Sequence, residues 1–292
     1  MKKYALFLFL PLLISSVQGQ SVLGYHLNEG DVFTVKQIAD QVIVQELEGS
    51  QHQLKNHMEG VLEFVVTEEM EDHYEISLSF KDISLLATSS LQGELMNVRA
   101  TDTTDNMFTQ MFRGMLNVPV KMTMARNGDV LEVVGGDSLV NKMVNSIELD
   151  DFTKNLMKKS LDGQFGSEAL SQSYEQMTYF YPKEKVAVGD TWTNEYNGKL
   201  SCKNAWSLQE ASADTILISG KADVSMNIEE ETTHMNLVGS QTTEILTDPV
   251  SGFIRKMVVT GTSKGTSAMP QMGVLDIPTT IDMTITYELI DP

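Results

Sequence analysis

Ile281-Asp282-Met283-Thr284-Ile285-Thr286-Tyr287-Glu288-Leu289, near the C-terminus, alternates without a break. Successive side chains of an extended chain point to opposite sides, so Ile281, Met283, Ile285, Tyr287 and Leu289 share one face. Asp282, Thr284, Thr286 and Glu288 share the other. One face suits a core and the other water, which is the pattern of an antiparallel strand with one wet side. The same period recurs upstream around short turns. Phe64 and Val66 lead through Glu71 and Asp72 into Tyr74, Ile76 and Leu78. Trp206 and Leu208 lead through Ala213 and Asp214 into Ile216 and Ile218. Met122 and Met124 lead through Asn127-Gly128 into Val130 to Val134, and Ile245 leads through Pro249 to Gly252 into Ile254 to Val259. Period-two runs joined by short turns predict hairpins.

Two of these stretches open on similar turns. Gly30-Asp31-Val32-Phe33-Thr34 and Gly189-Asp190-Thr191-Trp192-Thr193 each place a Gly-Asp turn before a strand with one large aromatic. Trp192, like Phe33, is expected to point into the core. Two matching hairpins follow each turn in the same order, which predicts an internal repeat.

Between the halves the period changes to that of helices. Asp137 is placed as the cap of a run carrying Leu139, Met143 and Ile147. Asp150 and Asp151 start a second, with Phe152 and Leu156 one turn apart and Lys158 and Lys159 at its end. Ser167 opens a third with Leu170, Tyr174 and Met177 aligned, and Pro182 stops the region. A shorter helix is predicted from Asp105 to Leu116. The expected fold is α+β and mainly β: curved antiparallel sheet in two related halves, with the central helical segment packed on one face. The divisions are a signal peptide at 1–19, an N-terminal β-rich half at 20–136, a helical segment at 137–182 and a C-terminal β-rich half at 183–292.

Lys2 and Lys3 precede an apolar run from Tyr4 to Ile14, and Val17-Gln18-Gly19 then offers small or compact residues for cleavage after Gly19. That run is too short for a permanent anchor, and no later stretch is long and apolar enough for a helical membrane span. Export to the periplasm or beyond is therefore expected. The chain has 21 Lys and Arg against 40 Asp and Glu, which disfavours nucleic acid and a polybasic lipid-facing patch. Cys202 has no partner for an internal disulfide and is read as packing in a strand.

The turn Leu27-Asn28-Glu29-Gly30-Asp31, the Asn127-Gly128 turn before a valine-rich strand, and Val186-Ala187-Val188-Gly189-Asp190-Thr191-Trp192 together resemble an exported Bacteroidota family classed as a domain of unknown function. The resemblance covers nearly the whole mature chain, and its motifs are structural turns. It implies a signal peptide and two β-rich halves, and it supplies no catalytic residues. By architectural analogy alone, exported lipoprotein carriers wrap a curved antiparallel sheet around helices and hold lipid between them.

Chemistry-bearing motifs are sparse. Gly261-Thr262-Ser263-Lys264-Gly265 fits the G-x-S-x-G pattern of a nucleophile elbow. An elbow needs a helix next, whereas Thr266-Ser267-Ala268-Met269-Pro270 has loop composition and no histidine follows His234. The stretch is read as a Gly/Ser-rich turn or bulge. His26, His52, His57, His73 and His234 show no zinc-site spacing, with His52 and His57 expected on opposite faces of a strand. Asp102 and Asp105, or Asp150 and Asp151, are better read as helix caps than calcium ligands, and Glu229-Glu230-Glu231 as a solvated turn. No motif implies a cofactor or a metal. Methionine is the unusual feature, at 18 residues. Met107, Met111 and Met115 stack on one helix face beside Phe108, Phe112 and Leu116. Thioethers suit core filling, an adaptable apolar groove, or Cu(I); interleaving with Phe favours the first two. Met107, Phe108, Met111, Phe112 and Met115 are accordingly the ligand-groove residues. Core helices such as those carrying Met143, Ile147, Phe152 and Leu156 would cover them in a closed core. The expected function is non-enzymatic binding of an apolar small molecule or lipid, or of an envelope protein. A structural or assembly factor and a hydrolase with an unrecognised site are the alternatives.

Overall fold

The computed structural model describes residues 21–47, 49–103, 106–229, 234–269 and 274–290. The strands are β1 (Val32–Leu47), β2 (Ser50–Glu69), β3 (His73–Ser89), β4 (Gly93–Arg99), β5 (Val120–Ala125), β6 (Val130–Val134), β7 (Thr191–Tyr196), β8 (Leu200–Ala211), β9 (Ile216–Glu229), β10 (His234–Thr247), β11 (Ile254–Met269) and β12 (Val274–Ile290). The helices are α1 (Met107–Met115), α2 (Gly136–Asn145), α3 (Asp151–Phe165) and α4 (Ser167–Thr178). All twelve strands join one large open antiparallel sheet in the order β6-β5-β3-β2-β1-β12-β11-β10-β9-β8-β7, with β4 beside β3. The alternating stretch 281–289 lies in β12, which pairs with β1 on one side and β11 on the other. The first and last strands thereby join the N- and C-terminal parts into a single sheet.

The two Gly-Asp turns have the same hydrogen bonds. The Asn28 amide donates to Asp31 Oδ2 at 2.8 Å, and the Ala187 amide donates to Asp190 Oδ2 at 2.8 Å. The Gly30 amide donates to the Val66 carbonyl and the Gly189 amide to that of Leu208, while Asp31 and Asp190 accept from Val66 and Leu208 in return. Both glycines have positive φ, at 90° and 95°, which a side chain would strain. One register irregularity follows each contact, between Val66 and Glu68 and between Leu208 and Glu210.

The core lies on one face of the sheet. Leu62, Phe64, Tyr74, Ile76, Met122, Trp206, Ile218, Ile245 and Tyr287 are buried there with Leu139, Met143, Leu170 and Met177 from the helices. Tyr174 of α4 is buried and meets Phe64 edge-on, with ring centres 6.4 Å apart. Ser21 to Leu27 threads between the ends of the sheet. The Ser21 and Val186 backbones bond to each other, and the amides of Tyr25 and His26 donate to the Arg126 and Ser251 carbonyls. Tyr25 is buried with its ring edge-on to Phe180, Tyr181 and Phe253, and its hydroxyl donates to the Thr178 carbonyl.

Several local expectations need correction. Gly261 to Gly265, and the residues after it as far as Met269, lie inside β11 and are neither turn nor loop. A Cβ on Gly265 would sit 2.1 Å from the Asn236 carbonyl oxygen, and one on Gly239 would sit 2.1 Å from that of Thr262. The glycines thus permit β10 and β11 to approach closely, a requirement that composition alone does not separate from a turn. α1 starts at Met107, capped by Asn106, whose side chain accepts from the Thr109 amide. α2 starts after Gly135, so Asp137 sits in its first turn and is not the cap. Asp150 does cap α3, but that helix runs past Lys158 and Lys159 to Phe165. Trp192 does face and pack against the core, as expected, although it is half-buried; its indole donates to the Phe180 carbonyl at 2.9 Å. The expected leader at 1–19, Asp105, and Glu230 and Glu231 lie outside the described residues.

Candidate functional site

The five groove residues named from the sequence separate into two groups. Met111, Phe112 and Met115 are buried in the core, whereas Met107 and Phe108 are 41% and 37% exposed. α1 lies against α2. A Cβ on Gly114 would come 2.8 Å from the Lys142 carbonyl oxygen, and Ser146 Oγ donates to the Gln110 carbonyl at 2.9 Å. Met143 and Ile147 are buried, as expected of a cover for α1. Phe152 and Leu156 are not part of that cover: they are 73% and 56% exposed on α3. The reason is geometric, since α3 turns its Leu161 side inward and leaves this stripe in water. Three of the five residues thus belong to the core, and Met107 and Phe108 face outward.

The accessible apolar surface lies elsewhere, on the core-facing side of the central strands. Register places Gln37, Ala39, Gln41 and Ile43 of β1 on that face, beside Leu54, Asn56 and Met58 of β2 and Met283 and Ile285 of β12. Leu85 and Ala87 of β3 and Met96 of β4 continue it. All of these side chains are half-buried. α1 packs on β4 and α4 on β6 and β7, with Tyr174 of α4 against Phe64 of β2, and Met58, Leu85, Met96, Met283 and Ile285 also pack against the buried core. This strip carries no Asp, Glu, Lys or Arg among the described residues. Its polar groups are amides: Asn56 Nδ2 donates to Gln41 Oε1 at 3.0 Å. The opposite face of the same strands carries Lys36, Asp40, His57, Glu59 and Asp282.

The strip ends on a buried polar cluster. Gln45 Nε2 donates to Ser267 Oγ at 2.9 Å, Ser267 Oγ lies 2.7 Å from Thr279 Oγ1, and Thr279 donates to the Ile277 carbonyl. Gln45, Ser267 and Thr279 are all buried, and Gln45 Oε1 has no hydrogen-bond partner. Gln45 faces His52 across the ladder, and His52 Nε2 lies 2.9 Å from Ser89 Oγ. Sequence reasoning missed this strip because Lys36 to Gln45 alternates weakly: apolar Ile38, Val42 and Val44 sit on the wet face, and three glutamines sit on the inner one. The available signal was the absence of charge at every second position from Gln37 to Gln45.

Other side-chain groups offer less chemistry. A cleft of about 670 Å³ opens at β7 to β11, lined by Glu195, Lys203, Asp223, Val238 and Lys264 among others. Its charges face one another across strands, Glu195 opposite Lys203 and Lys203 opposite Asp223. His57 Nδ1 lies 2.7 Å from Asp40, and this contact holds its imidazole above the usual range. His52 and His57 stand on opposite faces of β2, as expected. Among the described residues no three metal-ligating side chains gather. Ser263 lies mid-strand, with β11 continuing to Met269, so it does not sit on the strand-to-helix turn that a nucleophile elbow needs. Burial pushes the Cys202 thiol up to about 11.

A model for a family of unknown function, DUF6263, matches residues 71–254. The chain belongs to this family. A search among curated proteins finds no match. Among solved structures, lipovitellin, in a study titled for its lipid–protein interactions, matches with TM-score 0.50 and 12% identity over 91% of this chain. The chain spans 26% of the lipovitellin chain. DynF from the dynemicin pathway of Micromonospora chersina matches 97% of this chain and 94% of its own at TM-score 0.25 and 6% identity. An outer-membrane channel from Pseudomonas putida F1 matches 91% and 97% at TM-score 0.25 and 8% identity. Only the lipovitellin likeness reaches a level that speaks to the fold. No helix among the described residues is long and apolar enough to cross a membrane.

Proposed function

We propose that this family member is an exported, non-enzymatic protein of the cell envelope that holds an apolar small molecule or lipid on the half-buried inner strip of its sheet. One observation carries the reading: a long, half-buried, uncharged surface lies on the core-facing side of β1, β2, β3 and β12. A surface that only faced water would gain from charge, and one that only packed would be closed. Flexible Met58, Met96 and Met283 suit ligands of variable shape. The lipovitellin likeness adds lesser support, through a protein described by its lipid contacts. We read the two halves as related units with the helical segment on one face of the sheet, supported by the matching Gly-Asp turns. The leader at residues 1–19, cleaved after Gly19, and membership of an exported Bacteroidota family are parts of the same proposal.

Native mass spectrometry of the mature chain from its own host, followed by lipid extraction, tests the reading directly. Protein from the envelope should begin near Gln20 and carry an extractable apolar mass. Met58→Asp should leave the protein folded and abolish binding of the fluorescent apolar probe 1-N-phenylnaphthylamine. Probe binding unchanged in Met58→Asp, or absent from the native protein, would overturn it. A second reading, a partner protein, rests on the exposed Met107, Phe108, Phe152 and Leu156. Ser146, in the link between α2 and α3, donates to the Gln110 carbonyl of α1. Substituting those four by serine should then abolish capture of an envelope partner while leaving probe binding intact.

A further inference from the structure

Resting on the apolar-ligand reading, we propose that the strip selects uncharged amphiphiles bearing a hydroxyl, such as long-chain alcohols or acylglycerols, and that Gln45 receives the hydroxyl. Two independent features point there. The first is the lining itself. Between Gln37 and Gln45 on β1, and across their partners on β2 and β12, the inner face offers amides, hydroxyls, the His52 imidazole beside Ser89 and apolar groups, but no Lys or Arg. A carboxylate or phosphate drawn into this surface would lose its hydration and find no compensating charge. An ammonium head would fare no better, since no carboxylate faces inward along that stretch.

The second feature is the unpartnered acceptor. Gln45 is 5% exposed, and its Oε1 accepts nothing. Its amide nitrogen is already committed to Ser267, and Ser267 to Thr279, so the cluster holds the side chain with a free acceptor. A buried carbonyl oxygen without a donor costs free energy, and such an atom in a folded protein calls for a partner. Gln45 follows Ile43 and Gln41 on the same face, and its half-buried neighbours Ile43, His52 and Leu54 carry the strip up to it. A hydroxyl donates one proton to that oxygen, while the alkyl chain lies along Ile43, Leu54, Met58, Met283 and Ile285. An ether or ester oxygen supplies no donor and leaves Oε1 as it is.

The test uses the full mature chain and displacement of bound 1-N-phenylnaphthylamine by probes of equal tail length. These are 1-decanol, decyl methyl ether, and decanoate at about pH 8. Decanol should displace the probe at roughly tenfold lower concentration than the ether, the worth of one buried hydrogen bond, and decanoate should be weakest. Gln45→Met keeps the volume and removes the acceptor. It should bring decanol down to the level of the ether and leave the ether unchanged. Equal displacement by decanol and ether, or by decanol and decanoate, would overturn the head-group assignment while leaving the apolar-ligand reading standing. Failure of all three probes and of the fluorophore would overturn the reading beneath it. If Gln45→Met does not fold, the comparison of decanol with its ether on the native protein decides alone.

Discussion

At the scale of single residues, the two tryptophans show how far a sequence pattern reaches. Trp192 and Trp206 face each other across β7 and β8 and so share a face. The pattern placed both on strands, but how far each is covered depends on what packs over it. On β7, the outermost strand, Trp192 is half-covered although Tyr196 on the same face is buried, while Trp206 is 2% exposed with its indole donating to Asn194 at 2.8 Å. Gly220 lies opposite Trp206, and a Cβ there would come 2.3 Å from the indole ring. Trp206→Ala should therefore cost roughly 3–5 kcal/mol in denaturant unfolding, as large core truncations do. Gly220→Val should prevent the ring from lying where it does and lower the melting temperature sharply, whereas Trp192→Ala should cost less than Trp206→Ala. Cys202 was legible as packing from its alternating strand. With its thiol raised to about 11 by burial, it should react with a maleimide in minutes only after denaturation; rapid labelling of the native protein would place it at the surface.

At the scale of elements, hydrophobic stripes located the helices and their apolar sides but not their neighbours. Leu170, Tyr174 and Met177 mark a stripe on α4 that is buried. Phe152 and Leu156 mark one on α3 that is open. Nothing in either stripe distinguishes them, because cover depends on where the rest of the chain passes. Replacing Phe152 and Leu156 by serine should change folding stability by no more than about 0.5 kcal/mol each, the usual range for surface positions; a larger loss in urea titration would mean that they are covered. The α1–α2 contact behaves in the opposite way. Gly114 fits because it has no side chain, with the Lys142 carbonyl 2.8 Å from where a Cβ would be. Gly114→Ala must separate the helices and should destabilise the protein, even though alanine is the better helix former. Met111→Asp would leave a carboxylate in the closed core and should abolish folding, unlike Met58→Asp on the half-buried strip.

At the scale of the whole molecule, the antiparallel sheet was legible from period-two alternation, but its single continuous order was not. Pairing of β1 with β12 joins residues more than two hundred positions apart, and no local pattern encodes it. The interior that this closure creates is rich in tyrosine, and that gives the molecule a characteristic response to alkali. Burial pushes Tyr287 up to about 12 and raises Tyr25, Tyr174, Tyr181 and Tyr196 well above their ordinary value near 10. The folded protein thus keeps these protons at a pH where the unfolded chain has lost them. Stability is fully present below about pH 10, where both states are protonated, and is lost as pH rises from there through the raised values. Each phenolate must leave the core to form, since Tyr25, Tyr181 and Tyr196 spend their hydroxyls on the Thr178, Gly252 and Tyr179 carbonyls, which accept from a phenol and repel a phenolate. A spectrophotometric titration should therefore show little phenolate near pH 10, since every tyrosine among the described residues is buried or half-buried. The buried group should ionise in one steep step above about pH 10, coincident with loss of near-ultraviolet circular dichroism. Smooth independent ionisation of all the tyrosines with the fold intact would show that these rings are in water.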